Sequence, residues 1–143
     1  MYQILITSLA AGIIAQLSKL LIKSNKIKLN WRSLSSYAGM PSSHAAFVVS
    51  LTTIVGLTQN FYSPLFAICF IFSILVIRDA LGVRRYLGQH GEIINTLVKD
   101  LKEDKMLDDA YPKLLEKIGH TPAQIIAGSA LGFFIGLASY LIF

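Results

Sequence analysis

A chain of 143 residues has room for one domain, and we read residues 1–143 as a single unit. It is 54% hydrophobic and only 15% charged, with a mean hydropathy of +0.59, whereas soluble domains carry about 25% charged residues. The net charge of +5 suits a surface facing anionic lipid or phosphate; the basic residues sit at the edges of apolar runs and form no aromatic-rich basic strand, which argues against nucleic acid.

The charges occupy two windows. Residues 1–18, 33–77 and 118–143 hold no Asp, Glu, Lys or Arg. Spanning a bilayer takes about 20 apolar residues, and Tyr2–Leu21 meets that length. No basic segment precedes it and no small-residue cleavage pattern follows it, so it reads as a mature helix and not a signal peptide. Ala45–Leu57 is the second span, with a start that reaches back toward Ser42. Pro64–Ile77 is the third and runs on toward Val83. Pro122–Phe143 is the fourth. Together they predict an all-α, polytopic integral membrane bundle of about four transmembrane helices.

The connections set the orientation. The first holds Lys19, Lys23, Lys26, Lys28 and Arg32 without an acid, whereas the turn at residues 58–63 is uncharged. Excess Lys and Arg marks the cytoplasmic side, which puts both termini outside and the long 84–119 connection inside a bacterial-type plasma membrane. Within that connection Ile93, Ile94, Leu97, Val98 and Leu101 recur at helical spacing among charged residues, which predicts an amphipathic cytoplasmic helix. Residues 104–109 read as a turn and 111–118 as a second short helix. In the last span Gly128, Gly132 and Gly136 stand four apart. Such a stripe lets helix backbones meet closely, either inside the bundle or in a homodimer through the last helix. Cys69, mid-span, reads as a small packing residue.

Three polar segments stand where apolar runs meet water, all at the same membrane side. Gly39-Met-Pro-Ser-Ser-His44 opens the second span. Ser42 or Ser43 is a good N-cap, the helix start is an anion site, and His44 one turn in can donate a proton. Arg78-Asp-Ala-Leu-Gly-Val-Arg-Arg85 closes the third span; the forks of Arg84 and Arg85 match phosphate oxygens. Gly119-His-Thr-Pro-Ala-Gln124 opens the fourth. Thr121, Pro122 and Gln124 make a capping box, which does not require His120; a neutral imidazole there can act as a nucleophile. Lys19, on the face shared by Gln16 and Lys23, can reach a phosphate from the first helix. The histidines have no close pairing in sequence and no HExxH, CxxC or EF-hand spacing occurs, so no metal and no cofactor is expected. A P-loop and GxGxxG are also absent.

Gly39-Met-Pro-Ser-Ser-His44, Asp79-Ala-Leu-Gly-Val-Arg-Arg85 and Gly119-His-Thr-Pro122 together resemble the divergent branch of the type 2 phosphatidic acid phosphatase and vanadium-dependent haloperoxidase superfamily. The resemblance runs from Gln16 to Gly128. It implies a helical bundle and metal-independent hydrolysis of a phosphate ester through a phosphohistidine. His120 would be the nucleophile and His44 the acid for the leaving group, while Lys19, Arg84, Arg85 and groups near Ser42 and Ser43 would hold the phosphate. The chain departs from the superfamily at three places. The lysine and Arg-Pro of the first motif are missing, since Arg32 precedes Ser33. Leu114 stands where an arginine precedes the nucleophile by six; Arg84 and His90 keep that spacing, which makes His90 a rival nucleophile. Gln124 replaces the acid that orients the nucleophile, and Asp79 is the candidate substitute.

The resulting expectation is a membrane phosphatase that hydrolyses a lipid phosphate or isoprenyl (di)phosphate at the cytoplasmic face. Its alternatives are a non-catalytic protein that binds or translocates a phosphorylated lipid, and a structural or assembly membrane protein.

Overall fold

Helix α1, Tyr2–Leu21, is 20 residues long and carries its one charge, Lys19, in its last turn. Helix α2, Ser43–Gln59, starts at Ser42, whose hydroxyl accepts from the Ala45 N–H. Helix α3, Pro64–Leu81, starts the same way at Ser63, with Pro64 in the first turn. Helix α4, Val83–Asp100, follows after one residue, Gly82. Helix α5, Pro122–Ile142, opens on the capping box of Thr121 and Gln124. The protein is seen here as a computed structural model that describes residues 2–22, 39–100, 114, 116 and 118–143, the Asp100 side chain excepted.

Among the described residues three stretches are long and apolar enough to cross a membrane: Tyr2–Leu21, Pro64–Lys99 and Pro122–Ile142. The second includes both α3 and α4. Helix α2, at 17 residues, is shorter and sits at the centre, packed against α1, α3 and α5. The four expected spans are thus three long apolar helices and one shorter helix that they shield. The outer faces of α1, α3 and α5 expose Ile6, Ile68, Ile71 and Phe134, as a lipid-facing surface would. The α2 core is small instead: Ala45, Ala46, Val48, Ser50, Ile54 and Val55 are buried.

Small residues allow that density. A Cβ on Gly128 would collide with the Ser42 carbonyl, and one on Gly132 with the Ala46 carbonyl. The glycine stripe of α5 is therefore filled by α2 of the same chain. A dimer through the last helix would have to use another of its faces.

Hydroxyls in the apolar layer are satisfied internally, as a hydrocarbon surrounding requires. Thr52 and Ser73 hydroxyls meet at 2.7 Å across the α2–α3 seam, and the Ser73 hydroxyl donates to the Val48 carbonyl at 3.0 Å. Thr7 and Ser139 hydroxyls meet at 2.6 Å between α1 and α5. Cys69 is buried, and its carbonyl lies within hydrogen-bond reach of the Thr52 and Ser73 hydroxyls, as an alternative acceptor to the Val48 carbonyl.

The amphipathic helix differs from its expected form. It begins at Val83 and not near residue 93, because its apolar stripe already starts with Val83, Tyr86 and Leu87 and is only masked in sequence by Arg84, Arg85, Gly88 and Gly91. That stripe is exposed, while Gly88 and Gly91 on the opposite side are buried. Asn95, on the same side as the glycines, binds the returning chain: its amide donates to the Leu114 carbonyl and Glu116 carboxylate, each at 2.9 Å. Residues 114, 116 and 118 are not helical. The expected turn at 104–109, the rest of the expected helix at 111–118, Leu101 and the basic residues Lys23, Lys26, Lys28 and Arg32 lie outside the described residues.

Candidate functional site

The helices alternate in direction, so the end of α1, the start of α2, the end of α3 and the start of α5 share one end of the bundle. Lys19, His44, Asp79 and His120 all belong to these termini. The chain crossings that fix this end are specific. The Ser42 N–H donates to the Gln124 carbonyl at 3.0 Å, tying α2 to α5. The His120 N–H donates to the Ala80 carbonyl at 3.1 Å, tying the start of α5 to the end of α3. Gly119 has a φ of 99°, and a Cβ there would stand 2.8 Å from the Arg85 nitrogen. Only glycine lets the chain pass that close to α4 in that conformation, and the next residue is His120.

Those constraints bring two imidazoles together. The rings of His44 and His120 lie edge to face, centroids 6.1 Å apart at 78°. His120 is 3% exposed, and neither of its ring nitrogens has a hydrogen-bond partner among the described residues. Unsatisfied buried polar atoms are rare in folded proteins and point to an absent ligand or water. Burial, reinforced by the positive charges of Lys19, His44 and Arg84, pushes the His120 pKa down to about 4. The ring is thus neutral near pH 7, the state in which an imidazole nitrogen can attack phosphorus.

Lys19 is 2% exposed, and its Nζ stands 3.5 Å from the Ser43 hydroxyl. A buried ammonium is costly unless countercharged or hydrogen-bonded. Arg84 Nε donates to Asp79 Oδ2 at 2.6 Å, both side chains being partly exposed. The charges of Arg84, Lys19 and Asp79 all act on His44, and those of Lys19 and Arg84 also act on His120. The cluster is therefore two imidazoles with two cations and one carboxylate at their margin.

The remaining candidates fall elsewhere. Ser42 is fully buried and occupied, its hydroxyl as the cap and its N–H by Gln124, so it pins the helix start. Arg85 is exposed; its backbone, and not its guanidinium, meets Gly119. His90 is exposed on the apolar stripe of α4. Six positions place it about 120° round the helix from Arg84, so it stands apart from the imidazole pair. Asp79 bonds to Arg84 and acts on His44 rather than orienting His120. The Gln124 side chain accepts from the Thr121 N–H at 2.9 Å and is turned away to the cap. Among the described residues no group of three His, Cys, Asp or Glu side chains converges.

Two residues that hold the site were not singled out from sequence. Ala80 and Asn95 carry no chemical signature, and only the three-dimensional crossing shows that they fasten the chain on which His120 sits.

The family described as the divergent PAP2 family matches residues 1–135. The chain is 38% identical to YuiD, an uncharacterised membrane protein of Bacillus subtilis (strain 168), over 93% of this chain and 90% of that protein. No solved structure matches the chain.

Proposed function

The chain belongs to the divergent PAP2 family, and from that premise we propose that this integral membrane protein is a phosphatase acting on a lipid phosphate or isoprenyl (di)phosphate. The observation that carries the reading is the buried His120, with both ring nitrogens unmatched among the described residues, facing His44 within the reach of two cations.

The chemistry would run as follows. Lys19 and Arg84 hold the phosphate oxygens and stabilise charge as it builds in the transition state. The neutral His120 ring attacks phosphorus while the P–O bond to the lipid breaks. His44 gives its proton to the departing oxygen. Binding of the phosphate dianion favours the protonated form of His44. Water then attacks the phosphohistidine, losing its proton to His44, and the P–N bond breaks to release phosphate and restore His120. By the excess of Lys and Arg, the site faces the cytoplasm of a bacterial-type plasma membrane.

A second reading is favoured by one specific observation. Gln124 is spent on the cap, so among the described residues no carboxylate is seen on the His120 ring to steady an imidazolium. On that reading the site binds or moves a phosphorylated lipid without cleaving it.

The test uses the full chain in detergent with a chelator present. Phosphatidate, phosphatidylglycerophosphate and isoprenyl diphosphates are offered and phosphate release is measured. Release that disappears in His120→Ala and in His44→Ala supports the enzyme. Turnover that persists in both variants removes the assigned roles, and binding without release favours the second reading.

A further inference from the structure

Helices α1 and α3 both lean on α2 yet scarcely meet each other, which leaves a groove with α2 as its floor. The groove has a volume of about 450 Å³, within the usual range for a ligand site, and its lining changes character along its length. Gln16, Ser43 and His44 stand at one end; Gly12, Phe47 and Phe72 lie deeper. From Gln16 to Gly12 on α1 is about 6 Å along the helix axis, toward the apolar middle of the bundle. Along its length the groove is flanked by Ile13 and Phe72, which are 58% and 48% exposed, so it opens sideways onto the apolar outer surface.

We propose that this groove holds the hydrocarbon chain of a single-chain lipid phosphate whose headgroup lies between His44 and His120. The inference rests on the phosphatase or binding reading of that site and names the substrate class it takes. A chain leaving a phosphate at His44 enters the groove directly, because His44 belongs both to the imidazole pair and to the lining. Among the described residues one such channel reaches the pair. A second apolar cavity of about 460 Å³ lies between α3 and α5, lined by Phe66, Phe70 and Phe133, and includes neither imidazole. The Thr52–Ser73 clasp between α2 and α3 separates the two. A two-chain lipid would bring a second chain to the headgroup with no second channel for it among the described residues.

The groove gives orientation more than affinity. A chain that moves into it from a bilayer exchanges one apolar surrounding for another, without the water release that drives soluble binding. Gly12 sets its width: a Cβ there would touch the Phe47 ring at 3.5 Å, ordinary contact, so a larger side chain fills the groove instead of breaking the helix pairing.

The experiment is photolabelling of the full chain in detergent with an alkyl phosphate that carries a diazirine several carbons along its chain from the phosphate. Adducts are expected on α1 near Gly12 and Ile13 and on α3 near Phe72 and Val76. They should fall about tenfold in Gly12→Leu and likewise in Val76→Trp, which closes the groove from the other wall should the first variant fold poorly. Unlabelled farnesyl phosphate should compete at about tenfold lower concentration than phosphatidate. Adducts on Phe133 and Leu137, labelling spread evenly over the outer faces, or equal competition by phosphatidate would overturn the proposal. Labelling needs no turnover. Groove adducts without phosphate release would remove the enzyme reading alone, and release with adducts elsewhere would remove the groove alone.

Discussion

His120 meets His44 edge to face at 6.1 Å, although 75 residues intervene in sequence. The pair is assembled by backbone contacts on either side of it. Ala80 holds the His120 N–H, and Gln124 holds the N–H of Ser42, two residues before His44. Both contacts use main-chain groups, so the geometry is carried by helix termini and not by exchangeable side chains.

Stability should fall with acid because of His120. Its folded pKa of about 4 lies below the ordinary 6.5, burial being the main cause. Between these values the unfolded chain binds a proton that the folded chain refuses, so folded stability is lost as pH falls from about 6.5 toward 4. The full loss is on the order of 3 kcal/mol. Denaturant unfolding in detergent from pH 7 to pH 4 should show this slope, and His120→Gln should flatten it. An equal slope in both proteins would assign the acid sensitivity to other groups. A bound phosphate dianion would reverse part of the shift, since negative charge favours the imidazolium.

Lys19 should matter to phosphate more than to folding. Its ammonium is buried beside Ser43, and a methionine of similar shape keeps the packing of its stem while deleting the charge. Lys19→Met should leave the melting temperature equal or higher, since a buried charge is costly. Phosphate-ester turnover or phosphate affinity should fall about a hundredfold, the scale of losing one preorganised charge partner. A variant with full activity would remove Lys19 from the site.

The α5 glycines should differ in tolerance. A methyl group at Gly128 or Gly132 would run into α2 backbone, which cannot move without shifting Ser42 and Ala46, whereas at Gly136 it would first meet the Thr53 side chain at 2.9 Å. Gly128→Ala and Gly132→Ala should each cost about 1–3 kcal/mol by overpacking, and Gly136→Ala less. Gly128→Ala should also lower activity, because Ser42 leads into His44. Thermal melting of the three variants in detergent checks the order. Equal losses would mean that α2 is not seated on this stripe.

Much of this was legible in sequence wherever a local rule decides. Charge-free runs marked α1 and α5 to within a residue, and Thr121, Pro122 and Gln124 announced their capping box. Residues His44 and His120 stood out because polar groups at the start of apolar runs need a reason. What sequence could not supply was pairing between distant termini. Spacing from an arginine favoured His90 and the Pro-containing helix start favoured His120; the helical angle from Arg84 sets His90 on the exposed stripe. The extent of α4 was hidden because Gly88 and Gly91 interrupt its pattern, and the reason for Gly88 lies across the gap: a Cβ there would strike the Glu116 carbonyl. Asp79 was the candidate substitute for the acid that Gln124 replaces, but a guanidinium five residues on claims it.

Gln124 gives the sharpest contrast between local structure and catalysis. Its side chain accepts from the Thr121 N–H, and its own N–H donates to the Thr121 hydroxyl at 3.4 Å. Gln124→Ala should therefore destabilise the protein by about 1 kcal/mol through loss of half the capping box. Gln124→Glu keeps an acceptor and adds negative charge at a helix N-terminus, which is favourable by about 0.3–1 kcal/mol. If the acid at this position served only to orient the nucleophile, that variant would raise phosphate release. The geometry gives the opposite expectation: a carboxylate here stays on the cap, the melting temperature rises slightly, and turnover changes less than about twofold. Melting and phosphate release measured side by side on the two variants decide it, and a large gain in turnover for Gln124→Glu would show that this side chain leaves the cap and reaches the His120 ring.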